Sequence, residues 1–141
     1  MILCDVNVLL YAFRRDSGRH AELKQWLEQV VNGDEPYGVS PQALASLIRI
    51  STHRRVYEQP SSLSEALAFC RALLEPSTCA VVQPGLRHWE IFAGLSEKAR
   101  VRGNLVQDAW FAALAIESGC EWVTTDRDYA RFEGLRWREP L

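Results

Sequence analysis

The segment Met1–Phe13, MILCDVNVLLYAF, constrains the fold more than any other, because it sets a carboxylate between two runs of core-forming residues. Ile2, Leu3 and Cys4 read as a short buried strand, and Val8 to Phe13 continues as an apolar run whose polar group is Tyr11. An ionised aspartate in such surroundings is costly unless a cation or several donors hold it. A first strand ending in Asp5 places the acid where open α/β sheets gather ligands, beyond the carboxyl ends of the strands. Asn7 can bond the turn or orient Asp5. The alternative is that Asp5 caps the helix that follows, and this stretch alone does not separate the two.

The 141 residues are read as one domain over 1–141, long enough to bury a real core. A composition 48% hydrophobic and 24% charged excludes disorder and a coiled coil. There is no basic n-region, and Asp5 interrupts what a signal segment keeps apolar, so the expected location is cytoplasmic. No stretch approaches the roughly 20 apolar residues that cross a bilayer, so no membrane partner is expected. Cys4, Cys70, Cys79 and Cys120 lie far apart without C-x-x-C spacing, and are read as small fillers rather than a zinc site or redox pair.

A net charge of -2 is not the bulk signature of a nucleic-acid protein, but the basic residues are unevenly chosen and placed. Lysine occurs only as Lys24 and Lys98, whereas arginine clusters at Arg14/Arg15, Arg49/Arg54/Arg55, Arg100/Arg102, Arg127/Arg131 and Arg136/Arg138. A planar guanidinium bonds two phosphate oxygens at once. Codon bias accounts for an arginine excess as readily, though less readily for its clustering.

The chain then alternates strands with helices. Apolar spacing predicts helices over Ser17–Val31, Gln42–Ser51, Ser64–Leu74, Arg87–Arg102 and Leu105–Ser118, with Trp89, Phe92, Ala93, Leu95, Ser96 and Ala99 inward on the fourth. Strands are predicted at Tyr37–Val39, Cys79–Gln83 and Trp122–Thr125, with a short edge strand within Leu135–Arg138. Gly103-Asn104 is read as the end of the fourth helix, and Gly119 as the stop of the fifth. This alternation argues for an α/β class with a mostly parallel sheet of four to five strands and helices on both faces. Ala109 to Ile116 is apolar all round, so that helix must be buried on nearly every side.

Asp108 sits at the head of that helix, on the face of Phe111, Ala112 and Ala115. The helix dipole would favour an acid there, but does not explain one on the most apolar helix. Asp126 ends a strand as Asp5 does, and parallel strands carry both to one edge of the sheet. Three unpaired carboxylates there would raise one another's pKa values, and a hard divalent cation relieves that repulsion. Magnesium keeps several waters and can activate one against a phosphodiester. Asp128 is read as a turn residue or cap, and Thr124 and Thr125 as strand residues able to orient Asp126.

Asp5-Val6-Asn7-Val8-Leu9-Leu10-Tyr11-Ala12, Gly103-Asn104-Leu105-Val106-Gln107-Asp108-Ala109 and Val123-Thr124-Thr125-Asp126-Arg127-Asp128-Tyr129, in this order, resemble PIN-domain ribonucleases. More narrowly, the chain resembles VapC-type toxins of bacterial toxin-antitoxin pairs. The resemblance implies a three-layer α/β/α domain, Mg2+ or Mn2+ at a pocket of acids, endoribonuclease activity on RNA, and inhibition by a cognate VapB-type antitoxin. It carries metal-binding or catalytic roles to Asp5, Asp108 and Asp126, and polar roles near the site to Asn7 and Asn104. The chain departs from the pattern at Ser46-Leu47-Ile48-Arg49, where the family usually has a fourth acid in place of Ser46. Asp128 or Glu90 are the candidate substitutes for that acid.

Two other readings compete. Asp5-x-Asn7 resembles the start of a haloacid-dehalogenase phosphatase, but that family requires an aspartate where Asn7 stands, and Lys98 is the only candidate downstream lysine. A degenerate module that binds RNA or a partner without chemistry is kept open by Ser46. Trp26, Leu27, Leu67, Phe69 and Leu73 suggest more apolar helix face than the domain can bury, and so a homodimer and a groove for an antitoxin segment. His53, Arg54 and Arg55 are the expected contacts to the RNA backbone.

Overall fold

The computed structural model describes residues 1–141. Five short strands, β1 (Ile2–Cys4), β2 (Tyr37–Val39), β3 (Cys79–Val81), β4 (Glu121–Val123) and β5 (Trp137–Arg138), form one sheet in the order β3-β2-β1-β4-β5. Every pairing is parallel, with Leu3 opposite Trp122 and Cys4 opposite Val123. The connections are helical: α1 (Val6–Phe13), α2 (His20–Val31), α3 (Pro41–Ser51), α4 (Leu63–Leu74), α5 (His88–Ala99) and α6 (Asn104–Ser118).

Alternation along the strands divides the core in two. Cys4 and Val123 face a layer built from α1 to α4, with Val8, Leu9, Leu23, Trp26, Leu47 and Leu73. Leu3 and Trp122 face the opposite layer of α5 and α6, with Leu95, Phe111, Leu114 and Tyr129. The result is the expected α/β/α sandwich. Between them lies β2, where Gly38 is required by packing: a Cβ there would stand 2.9 Å from Val82 Cγ2 and 3.2 Å from the Ile2 carbonyl oxygen. Helix α6 is buried from Ala109 through Ala115 except for the partly exposed Trp110, as its uniform apolarity requires. It stops at Gly119, whose φ of 70° is left-handed.

Several boundaries differ from the sequence reading, each for a local reason. Helix α2 starts at His20 rather than Ser17, whose hydroxyl accepts the Arg19 N–H in the preceding turn. Helix α4 starts at Leu63, one residue before the predicted Ser64, because Ser62 caps it by accepting the Glu65 N–H. Helix α5 ends at Ala99, because Arg100 adopts φ 53° and returns its N–H to the last turn. Gly103 therefore precedes α6 as its N-cap instead of closing α5.

Side-chain placement also corrects two expectations. Trp89, expected inward, is 67% exposed on α5. Trp26, Leu27 and Leu73, expected to leave an apolar face over, are absorbed into the core, with Leu67 and Phe69 half-buried. The four cysteines are free, with Cys79 half-buried and the others buried. No helix is long and apolar enough to cross a membrane.

Candidate active site

Strand order decides where the acids meet. From β1 the chain moves to β2 and β3 on one side, and later to β4 and β5 on the other, so the connections diverge between β1 and β4. Such a switch point opens a crevice at the carboxyl ends of the two central strands. Asp5 follows β1 directly and Thr124 follows β4, so the register that pairs Cys4 with Val123 sets Asp5 beside Thr124. The Asp5 N–H continues the ladder to the Val123 carbonyl at 2.9 Å.

Asp5 occupies the N-cap position of α1, yet its side chain makes no capping hydrogen bond. It turns instead to β4, where Thr124 Oγ1 donates to Asp5 Oδ2 at 2.6 Å. The same hydroxyl oxygen accepts the Asp126 N–H at 3.0 Å, so one fully buried threonine ties the two acid-bearing segments together. Asp126 in turn caps the 3-10 turn Arg127–Arg131 by accepting the Asp128 N–H on Oδ1 at 2.9 Å. Its role as a cap leaves Oδ2 uncommitted.

Asp108 enters from α6, one turn after the helix start, and is half-buried. The Tyr129 hydroxyl donates to its Oδ1 at 3.2 Å. Tyr129 is itself buried against Trp122 and Phe132, so this donor is fixed by the core. Burial and the charges of Asp5 and Asp108 push the phenol pKa far up, which keeps it a donor.

The electrostatics report three acids sharing one field. Asp5 is pushed up to about 6, first by burial and then by the charges of Asp108 and Asp126, against the opposing Thr124 and Val6 hydrogen bonds. Asp108 is also raised, by burial first, with Asp126 and Asp128 adding to it and the Tyr129 hydrogen bond and the Arg131 charge opposing. None of Asp5, Asp108 and Asp126 is ion-paired with an arginine or lysine. Nearby, the buried Asn7 Oδ1 has no hydrogen-bond partner.

Other candidates fall outside this group or at its rim. Glu90 is exposed in the first turn of α5, and is not among the charges acting on Asp5 or Asp108. Asp128 lies at the rim, exposed and close enough to act on Asp108. Ser46 is buried on α3, and His53, Arg54 and Arg55 are exposed in the turn after it. Arg14 is not available to a ligand. It pairs with Asp16, bonds Ser61 and the Gln59 carbonyl, and lies 3.8 Å from the Tyr57 ring centre.

Oxygen donors with surplus negative charge and no ion-pair partner of their own suit a hard divalent ion, as does the unpartnered Asn7 side-chain carbonyl. No three His, Cys, Asp or Glu side chains stand in a geometry that holds a metal ion between them, so the three acids share one field without forming a closed ligand set.

Sequence reasoning set Thr124 beside Asp126, as the structure does, but missed its bond to Asp5 and missed the part of Tyr129. Asp5 stands 119 positions from Thr124, too far for local pattern to connect them. Tyr129 carried only the signal of a polar-tipped aromatic three residues after Asp126.

A parallel α/β/α sandwich with carboxylates gathered at its switch point defines a hydrolase-like site for anionic substrates. The PIN domain family model matches residues 2–135. The VapC ribonuclease Mb2897 of Mycobacterium bovis is 43% identical, over 100% of this chain and 96% of that protein. Ribonuclease VapC25 of Mycobacterium tuberculosis is 37% identical, over 99% of each. Among solved structures, VapBC2 from Rickettsia felis bound to a promoter DNA fragment superposes with a TM-score of 0.70 at 18% identity, covering 99% of this chain and 98% of that one. The chain belongs to the PIN-domain family and, within it, to the VapC ribonucleases, which are RNA-cleaving nucleases.

Proposed function

We propose that this nuclease is a Mg2+-dependent endoribonuclease, with Mn2+ as a possible substitute, in which Asp5, Asp108 and Asp126 hold the cation. The observation that carries this reading is Asp5 itself: a buried carboxylate, in the field of two others, with a hydroxyl donor but no cationic partner. When bound, a hard divalent cation neutralises phosphate charge and makes a water nucleophilic near neutral pH. The protein's part is to place the acids. Thr124 orients Asp5 through Oδ2, and Tyr129 orients Asp108 through Oδ1. Asp126, fixed at Oδ1 by the Asp128 N–H, keeps Oδ2 to bind the ion or to orient the attacking water. Arg54 and Arg55 supply cationic contacts to the RNA backbone, with His53 beside them as a further polar contact.

The same reading makes the chain the toxin of a toxin-antitoxin pair, restrained by a VapB-type antitoxin and acting as a homodimer in the cytoplasm. It is supported by the VapC relatives and by a groove of about 1030 Å³ between α2 and α4, floored by Leu27, Val31, Phe69 and Leu73. Cleavage of single-stranded RNA in Mg2+, its loss in EDTA, and its loss in Asp5→Asn with the fold intact are the expected results. Full activity in EDTA would overturn the metal mechanism. A wild-type protein that leaves every RNA intact in Mg2+ and Mn2+ would instead favour the binding module, and Ser46→Glu is then the restoring substitution to make.

A further inference from the structure

A second pocket, of about 380 Å³, lies between α3, α5 and the first turns of α6, the helix that carries Asp108. Its walls are Phe92 and Trp110, both half-exposed, with Val106; its rim is Gln42, Asn104 and Gln107, all exposed. The aromatic walls are held in place from behind. His88 is buried, stacks on Phe92 at 6.2 Å between ring centres, and meets Trp110 edge-on at 4.8 Å. Its Nε2 donates to the Trp110 carbonyl at 3.0 Å, fixing the tautomer and the ring.

We propose that this pocket takes one nucleobase of single-stranded RNA, stacked on Phe92 and Trp110, with the amides of Gln42, Asn104 and Gln107 reading its edge. The chemistry favours a base over other ligands. Fixed aromatic faces offer stacking, and carboxamides supply both donors and acceptors, the combination that recognises an unstacked base. No lysine or arginine lines the pocket, so a phosphate has no reason to enter it. Its position matches that use. Asn104 and Asp108 are one turn apart on α6, so the pocket lies within about one helix diameter, 10–12 Å, of the carboxylate. A base beside the scissile phosphodiester therefore reaches it, and the pocket becomes a determinant of cleavage-site choice.

The inference rests on the ribonuclease reading above, and its test separates the two. Phe92→Leu and the exposed Gln107→Ala are compared with wild type on an RNA oligonucleotide panel, varied one base at a time, in Mg2+. Each variant is expected to raise KM roughly tenfold, as the loss of one stacking or edge contact does, with kcat little changed and the flanking-base preference flattened. Gln107→Ala keeps the test valid if Phe92→Leu disturbs packing. Wild-type cleavage with both variants unchanged in KM and preference would overturn the pocket and leave the nuclease standing. No cleavage by wild type would overturn the nuclease reading, and the pocket with it. A shift in sedimentation state with unchanged preference would assign the face to a second copy of the chain and overturn the proposal.

Discussion

Thr124 donates to Asp5 Oδ2 at 2.6 Å across the boundary between the two central strands, while accepting the Asp126 N–H. One hydroxyl thus sets the position of two acids, and its removal should uncouple them. Thr124→Val keeps the shape and loses both bonds. It should cost about 1–3 kcal/mol, the usual price of orphaning buried polar groups. Because this hydrogen bond lowers the Asp5 pKa, the variant's pH–rate profile should also move to higher pH. Chemical denaturation and cleavage rates across pH measure the two effects; a variant as stable and as active as wild type would show the bridge to be incidental.

The fold was legible largely because its signals are local. Alternating strands and helices, the Gly119 stop and the all-apolar α6 each follow from residues near one another. Asp5, Asp108 and Asp126 were legible because an acid at the end of a buried element is expensive wherever the element packs. The Thr124–Asp5 bond and the part of Tyr129 were not, since they exist only after β4 lies beside β1 and the Arg127–Arg131 turn folds over α6. Trp89 was misplaced because its helical spacing matches the inward face, whereas α5 is an outer helix with a narrower buried side.

Asp5 also predicts how the metal-free protein responds to pH. Its folded pKa of about 6 lies above the ordinary 3.8, so the fold favours the protonated acid. The stabilisation is complete below about pH 4 and is lost as pH rises through about 6, an effect of about 3 kcal/mol from the size of the shift. In EDTA, Asp5→Asn should abolish this dependence while still accepting the Thr124 proton. Thermal melts of both proteins from pH 4 to 7 check it, and parallel pH dependences would refute the assignment.

Tyr129→Phe removes the donor to Asp108 without opening a cavity. The Asp108 pKa should rise further, stability should fall by about 1 kcal/mol, and Mg2+ should be needed at higher concentration for half-maximal cleavage. A metal titration of activity reads the last effect. An unchanged midpoint would make Tyr129 a core residue only.

Mg2+ should raise the melting temperature of wild type, because a ligand that binds the folded state stabilises it by mass action. Asp108→Asn should weaken that response and, by removing one of the repelling charges, slightly stabilise the metal-free form. A metal-free melting temperature that falls instead would mean that Asp108 mainly serves the helix dipole. Calorimetry with and without Mg2+ distinguishes these outcomes.

The strand order has a consequence for synthesis. Asp5 is made long before β4, the strand that completes its surroundings. While β1 can pair with β2 as soon as both exist, the side that carries Thr124, Asp126 and Tyr129 has no counterpart until β4 has been made. A nascent or prematurely terminated chain therefore lacks a competent centre, however well its first half collapses. For a ribonuclease, this ordering confines cleavage to chains that have emerged past β4 and the Arg127–Arg131 turn.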